Sequence, residues 1–166
     1  PQILSNISVC NSVGQLLATT LGPYGLDKLF YGKKLLVTND GAKILENMEF
    51  KHPVACMLAS LSKSQDNEVG DGTASVVVLA AQILNSLAPY VKERYPLEKM
   101  AQAIKELRSA CLKRTDELAV EYTDENLHNL AQTCLNSKSV RNEKAHFARI
   151  LIAGLSASDD LHVSKV

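Results

Sequence analysis

The stretch Gln65-Asp66-Asn67-Glu68-Val69-Gly70-Asp71-Gly72-Thr73-Ala74-Ser75 decides how this chain is read. It is polar and punctuated by glycine. It separates an apolar helical pattern, Val54 to Leu61, from a more apolar one, Val76 to Leu87. Glycines on either side of an aspartate let the backbone approach a ligand closely. A helix that starts just after them offers free N–H groups and the positive end of its dipole, which suits phosphate. Asp71 adds a hard oxygen ligand of the kind Mg²⁺ prefers, and Thr73 and Ser75 add hydroxyls. The same residues read equally as a turn at Asp71-Gly72 with Thr73 as a plain N-cap. No GxxxxGK followed by Ser or Thr occurs, which excludes an ordinary P-loop.

Working outward, composition sets the bounds. At 166 residues the chain fits one domain, or one and a fraction. Apolar residues make up 46% and charged residues 22%, an ordinary globular balance. The net charge is zero, with no basic stripe to support nucleic-acid binding. No apolar run reads as long enough to span a bilayer, and no signal-peptide pattern opens the chain. Neither nucleic acid nor membrane is therefore expected as a partner. Cys10, Cys56, Cys111 and Cys134 show no CxxC and read as buried thiols in a reducing compartment. The four histidines have no ligand spacing and read as surface or cap residues. The chain begins at Pro1 rather than Met, and Leu161 to Val166 alternates like a strand without a partner. The expectation is a part of a longer polypeptide.

In order, Ile3, Ile7, Cys10, Val13 and Leu17 predict an amphipathic helix over about 3–19. Thr20-Leu21-Gly22-Pro23-Tyr24-Gly25 ends it. Leu26 to Phe30 and Leu35 to Thr38 predict a hairpin. Asn39-Asp40-Gly41 follows, either a turn and N-cap or a carboxylate at a strand end above a site. A short helix then runs to about Met48. Pro53 starts the next helix, with Val54, Met57, Leu58 and Leu61 as its apolar stripe, ending before Gln65. The helix after the central stretch is apolar nearly all round, which predicts the most buried element. Pro89 and Lys92-Glu93-Arg94 read as a surface connection, and Pro96 opens a long helix striped by Leu97, Met100, Ile104, Leu107, Cys111 and Leu118. A break falls at Glu121 to Asp124. A short helix, the polar loop Asn136-Ser137-Lys138-Ser139 and a last helix through Phe147, Ile150, Leu151 and Leu155 complete the chain, with Gly154 helping to end it.

Three motifs in order, Thr20-Leu21-Gly22-Pro23, Thr38-Asn39-Asp40-Gly41 and Glu68-Val69-Gly70-Asp71-Gly72-Thr73, resemble a chaperonin. Leu26-Asp27-Lys28-Leu29 and Ser64-Gln65-Asp66 resemble the group II branch, which holds the archaeal thermosome and the eukaryotic cytosolic chaperonin CCT/TRiC. Leu135-Asn136-Ser137-Lys138 and Lys144-Ala145-His146-Phe147-Ala148 are most similar to its eta branch.

The resemblance implies a mainly α fold with a small β-hairpin. Residues 1–119 would be the N-terminal part of an equatorial ATP-binding domain, and 120–166 the first segment of an intermediate domain. It implies ATP/ADP and Mg²⁺ as ligands and ATP hydrolysis that drives folding of cytosolic proteins such as actin and tubulin. Partners would be the other subunits of a hetero-oligomeric double ring and unfolded clients, in the cytoplasm. Asp71 would hold Mg²⁺. Leu21, Gly22, Pro23, Asn39, Gly41, Gly72, Thr73, Ala74 and Ser75 would bind nucleotide, and Asp40 would help position the attacking water. Asn136, Ser137 and Lys138 would form a nucleotide-sensing loop, with the lysine near the γ-phosphate.

The family's second catalytic aspartate and its adenine-contacting glycines have no counterpart in this sequence, so the fragment alone should not hydrolyse ATP. Tyr24 stands where the family usually has a basic residue, Ala74 replaces a threonine, and Ala18 falls where an arginine is common. These departures predict weakened nucleotide handling and keep a second reading open: a chaperonin-derived structural module with little or no ATP turnover.

Overall fold

The computed structural model of the protein describes residues 2–31, 35–120 and 123–157. The expected strand at Leu161 to Val166 lies outside the described residues, as do Gly32 and Lys33 of the expected hairpin turn Tyr31-Gly32-Lys33, whose Tyr31 belongs to a strand instead. The fold is mainly helical with one small antiparallel hairpin. Its elements are α1 (Gln2–Ala18), β1 (Lys28–Tyr31), β2 (Leu35–Thr38), α2 (Gly41–Glu46), α3 (Pro53–Glu68), α4 (Thr73–Lys92), α5 (Leu97–Leu118), α6 (Asp124–Leu135) and α7 (Lys144–Ser156). A single 3₁₀ turn, Arg141–Glu143, precedes α7.

The core forms where α1, α2, α3 and α4 meet. Helical spacing puts Ile7, Cys10, Val13, Gly14 and Leu17 on one buried face of α1. That face packs against Val77 and Ala81 of α4, and Ile44 and Leu45 of α2 close the cluster. Leu17, Ile44, Leu45 and Val77 lose nearly all their solvent contact. Each such side chain contributes about 1.5–3 kcal/mol relative to an exposed one. In the hairpin Lys28 pairs with Thr38 and Tyr31 with Leu35. Leu29, Tyr31, Leu35 and Val37 are exposed, with Tyr31 at 93%.

Several expectations are corrected. Helix α3 does not end before Gln65 but continues to Glu68, so the loop is only Val69 to Gly72. Its buried stripe is Ala55, Leu58 and Ser62, while Met57 and Leu61 face solvent. Helix α4 passes through Pro89 to Lys92 instead of breaking there. Proline removes only one helical donor, and the last turn closes with the N–H of Glu93, the C-cap, donating to the Pro89 carbonyl at 3.0 Å.

Helix α4 is not the most buried element either. Burial is confined to Thr73, Ala74, Val77 and Ala81, because α1 and α3 cover only its first half. It is 20 residues long, and an 18-residue window within it has a mean hydropathy of 1.6, long and apolar enough to cross a membrane by length and composition alone. The expectation that no such run exists underestimated it, having taken Pro89 as its end. The stripe of α5 is likewise uncovered: Met100 is its one buried residue. Gly154 lies inside α7 and does not end it. Of the cysteines, only Cys10 is buried; Cys56, Cys111 and Cys134 are exposed, with Cys56 lying beside the buried Ala55–Leu58–Ser62 stripe of α3 and not on it.

Candidate functional site

Three loops converge at the same end of the α1–α4 core. The first follows α1. The Thr20 hydroxyl donates to the Leu17 carbonyl at 2.7 Å, and Gly25 N–H donates to the Gly22 carbonyl at 3.0 Å, closing a turn with Pro23 at its second position. The second follows β2. Asp40 is the N-cap of α2, its Oδ1 accepting from Ala42 N–H at 2.8 Å and Lys43 N–H at 3.2 Å. The capping alternative for Asp40 is therefore realised, and the carboxylate also lines the site.

The third loop joins α3 to α4. Gln65, on the last turn of α3, donates from Nε2 to the Asp71 carbonyl at 3.0 Å. Asp71 Oδ1 accepts from Gly72 N–H at 2.7 Å. Gly72, not Thr73, is the N-cap of α4; its φ of 74° is left-handed backbone that favours glycine. It has no side chain to cap the helix, whereas Asp40 caps α2 and Thr123 caps α6. The first N–H groups of α4, at Thr73, Ala74 and Ser75, thus keep the donor capacity that a cap would consume.

The start of α4 is held from two sides. Ser62, fully buried on α3, donates its hydroxyl to the Thr73 carbonyl at 3.0 Å. Gly41 packs against the α4 backbone so closely that a Cβ there would lie 2.5 Å from Ala74 N and 2.8 Å from Ala74 Cα. Sequence reasoning missed Ser62 and Gln65. Ser62 carries a weak signal, since it falls four residues after Leu58 on the inward stripe of α3.

Together these loops enclose a hollow of about 560 Å³ with residues from α6 and the loop after it. It is lined by Leu21, Gly22, Pro23, Asn39, Asp40, Asp71, Gly72, Thr73, Ala74, Ser75, Ser137 and Lys138, with Thr20, Gly70, Leu130, Thr133 and Cys134. Two of the expected residues do not line it. Gly41 supports from behind, and Asn136 lines a neighbouring hollow with Pro23, Tyr24 and Lys144.

Lys138 reaches the hollow from the loop after α6, its Nζ donating to Asn39 Oδ1 at 2.9 Å. Asn39 in turn donates to the Ser137 carbonyl at 2.7 Å. Asn136 Nδ2 donates to the Pro23 carbonyl at 2.9 Å and its Oδ1 accepts from Lys144 Nζ at 2.8 Å.

The donor set fits a magnesium nucleotide. Carboxylates at Asp40 and Asp71, an ammonium at Lys138 and uncapped helix amides surround one cavity. Among the described residues no group of three or more His, Cys, Asp or Glu side chains is placed to hold a metal ion. A Mg²⁺ ion needs no such cage, since it takes one or two carboxylates and completes its shell with phosphate and water.

The sequence has relatives. It is similar to the T-complex protein 1 subunit eta of Encephalitozoon cuniculi, 44% identical over 170 residues, covering 99% of this chain and 33% of that protein. The Bos taurus subunit eta is 39% identical, covering 97% of this chain and 31% of its own length. The Saccharomyces cerevisiae subunit eta is 34% identical, with 95% and 30% covered. The chain thus spans about a third of the length of the curated relatives it matches. The model of the TCP-1/cpn60 chaperonin family matches residues 13–165. Motifs, mainly helical fold and this match agree: the chain belongs to the TCP-1/cpn60 chaperonin family.

Proposed function

We propose that this chain is the N-terminal portion of an eta-type subunit of a hetero-oligomeric cytosolic chaperonin. It would bind ATP with Mg²⁺ and hydrolyse it, within the intact double ring, to drive folding of protein clients such as actin and tubulin. The observation that carries the reading is the shared hollow, into which three motifs distant in sequence bring two carboxylates, a lysine and an uncapped helix start. Residues 1–119 act as the equatorial part and 120–166 as the first intermediate segment. The break between α5, ending at Leu118, and α6, starting at Asp124, supports that division.

In this reading Asp71 holds the metal, which when bound neutralises phosphate charge and helps align the attack. The amides at Thr73 to Ser75 and the Leu21–Pro23 turn bind phosphate oxygens at the positive end of the α4 dipole. Asp40 helps position the attacking water. Its attachment to the α2 amides fixes the carboxylate without side-chain freedom to lose. Lys138 neutralises the terminal phosphate from the opposite wall.

Replacing Asp71 by Ala in the intact subunit tests this. ATP binding in Mg²⁺ should weaken about tenfold or more, matching the roughly 1.5–3 kcal/mol carried by contacts to a charged group. Unchanged binding and unchanged hydrolysis by the assembly would favour the second reading, a structural subunit with weak or no turnover. Tyr24 and Ala74 supply the observation for that alternative, since each removes a polar group the family's site usually has.

A further inference from the structure

The side chains that join the α6–α7 segment to the loops around the hollow include a pair with no assigned role. The Arg141 guanidinium lies over the Tyr24 ring, 5.3 Å from its centroid. Tyr24 immediately follows Pro23, whose carbonyl accepts from Asn136. Arg141 opens the 3₁₀ turn three residues beyond Lys138, and its N–H donates to the Lys138 carbonyl at 3.0 Å. The loop with Lys138 is thus held at three points: Asn39, the Pro23 carbonyl and the Tyr24 ring. Neither Arg141 nor Tyr24 lines the cavity itself, and Tyr24 lines the neighbouring hollow.

We infer that Tyr24 and Arg141 form a cation–π latch that sets where Lys138 sits over the hollow, which makes Tyr24 a positioning residue for the site. The inference rests on the nucleotide reading and adds a positioning determinant to it. An aromatic face attracts a guanidinium. A basic side chain at position 24 would repel Arg141, so the two positions have to be chemically matched. With Lys144 Nζ donating to Asn136 Oδ1, the latch adds to the polar ties that restrain this loop.

The test uses four variants of the full-length protein: Tyr24→Arg, Tyr24→Phe, the double change Tyr24→Arg with Arg141→Glu, and Asp71→Ala. Amide hydrogen exchange is read over 136–144 without nucleotide, and ATP and ADP affinities are measured in Mg²⁺. Tyr24→Arg should speed exchange across 136–144 about three-fold or more, in line with the strength of an exposed cation–π contact. It should weaken ATP about three-fold more than ADP, because Lys138 serves the terminal phosphate. Tyr24→Phe should behave as the parent, and the double change should restore both readouts by replacing the stack with an ion pair.

Unchanged exchange in Tyr24→Arg overturns the latch. So does failure of the double change to restore it. Faster exchange with the ATP-to-ADP preference unmoved overturns the positioning role. If Asp71→Ala leaves ATP binding intact, the nucleotide reading itself falls and the role with it. If Asp71→Ala abolishes binding while Tyr24→Arg does nothing, only the latch falls.

Discussion

The same substitution at two glycines should have opposite signs. Gly154 lies in α7 with nothing among the described residues within 4 Å of where a Cβ would go. Gly154→Ala therefore adds helix propensity at no steric cost and should stabilise by about 0.5–1 kcal/mol. Gly41 is the first residue of α2, where propensity counts for less, and its Cβ would lie 2.5 Å from Ala74 N, 2.8 Å from Ala74 Cα and 2.9 Å from Thr73 C. Carbon contacts settle near about 3.5–4.0 Å, so α2 has to move away from α4 by roughly 1 Å. The obstacle is backbone, which has no rotamer to yield. Overpacking of this kind costs about 1–3 kcal/mol. The net effect is a loss of about 1–2 kcal/mol, or a fall in thermal midpoint of roughly 2–8 °C for a chain of this size. Asp40 directly precedes Gly41, so the shift also moves its carboxylate relative to the start of α4. Thermal unfolding followed by circular dichroism, with Mg²⁺-ATP binding measured alongside, reads both effects. A Gly41→Ala protein as stable as Gly154→Ala, with unchanged ATP affinity, would refute the close approach of α2 to α4.

Ala74 lines the hollow at the first turn of α4. Ala74→Thr restores a hydroxyl there and should strengthen nucleotide binding about tenfold, the worth of a hydrogen bond to a charged group; an unchanged dissociation constant counts against Ala74 as a weakening departure. Burial pushes the Cys10 thiol above its ordinary value of 9.0. In native protein at neutral pH an alkylating reagent should therefore reach Cys10 last, after Cys56, Cys111 and Cys134, as peptide mapping would show. The linked stability is fully present below the ordinary thiol value. It is lost as pH climbs from there through the raised value, because the unfolded chain releases the proton first. A Cys10→Ala variant should show a shallower decline of denaturant midpoint with pH in that alkaline window.

The positions of most elements were legible from apolar spacing and punctuation. Ile7 to Leu17 marked α1, Pro53 and Pro96 marked the starts of α3 and α5, and the hairpin pairs the two apolar runs on either side of Tyr31. The three glycine-bearing motifs pointed to residues that do meet around one hollow. Periodicity cannot say which stripe a neighbour covers. Met57, Cys56, Cys111 and the stripe of α5 looked like core and are exposed, because coverage is a property of the partner surface and not of the helix. Polarity misled at Gln65 to Glu68, where a solvent-facing last helical turn has the composition of a loop. Gly70, with φ 76°, is the residue whose backbone departs from helix after that turn. The side-chain ties across about a hundred positions, Asn39 to Ser137 and Asn136 to Pro23, leave no local pattern at all.

The two walls of the hollow differ in what holds them. The carboxylate wall is built into the core: Asp40 caps α2, Gly41 seats α2 on α4, Ser62 ties α4 to α3, and Leu17, Ile44, Leu45 and Val77 are buried behind them. Each of those four side chains is worth about 1.5–3 kcal/mol. The Lys138 wall is joined to the first by hydrogen bonds from Asn39, Asn136 and Lys138. Such bonds are worth about 0.5–1.5 kcal/mol each when neutral and about 1.5–3 when charged. Separating the walls therefore costs a few kcal/mol, while deforming the carboxylate wall costs several times that. A ligand that bridges them has binding energy enough to shift the Lys138 wall and too little to shift the other. Any movement linked to filling or emptying this hollow must then appear in α6, α7 and the loop between them. Asp40, Asp71 and the start of α4 would stay in place as the fixed frame.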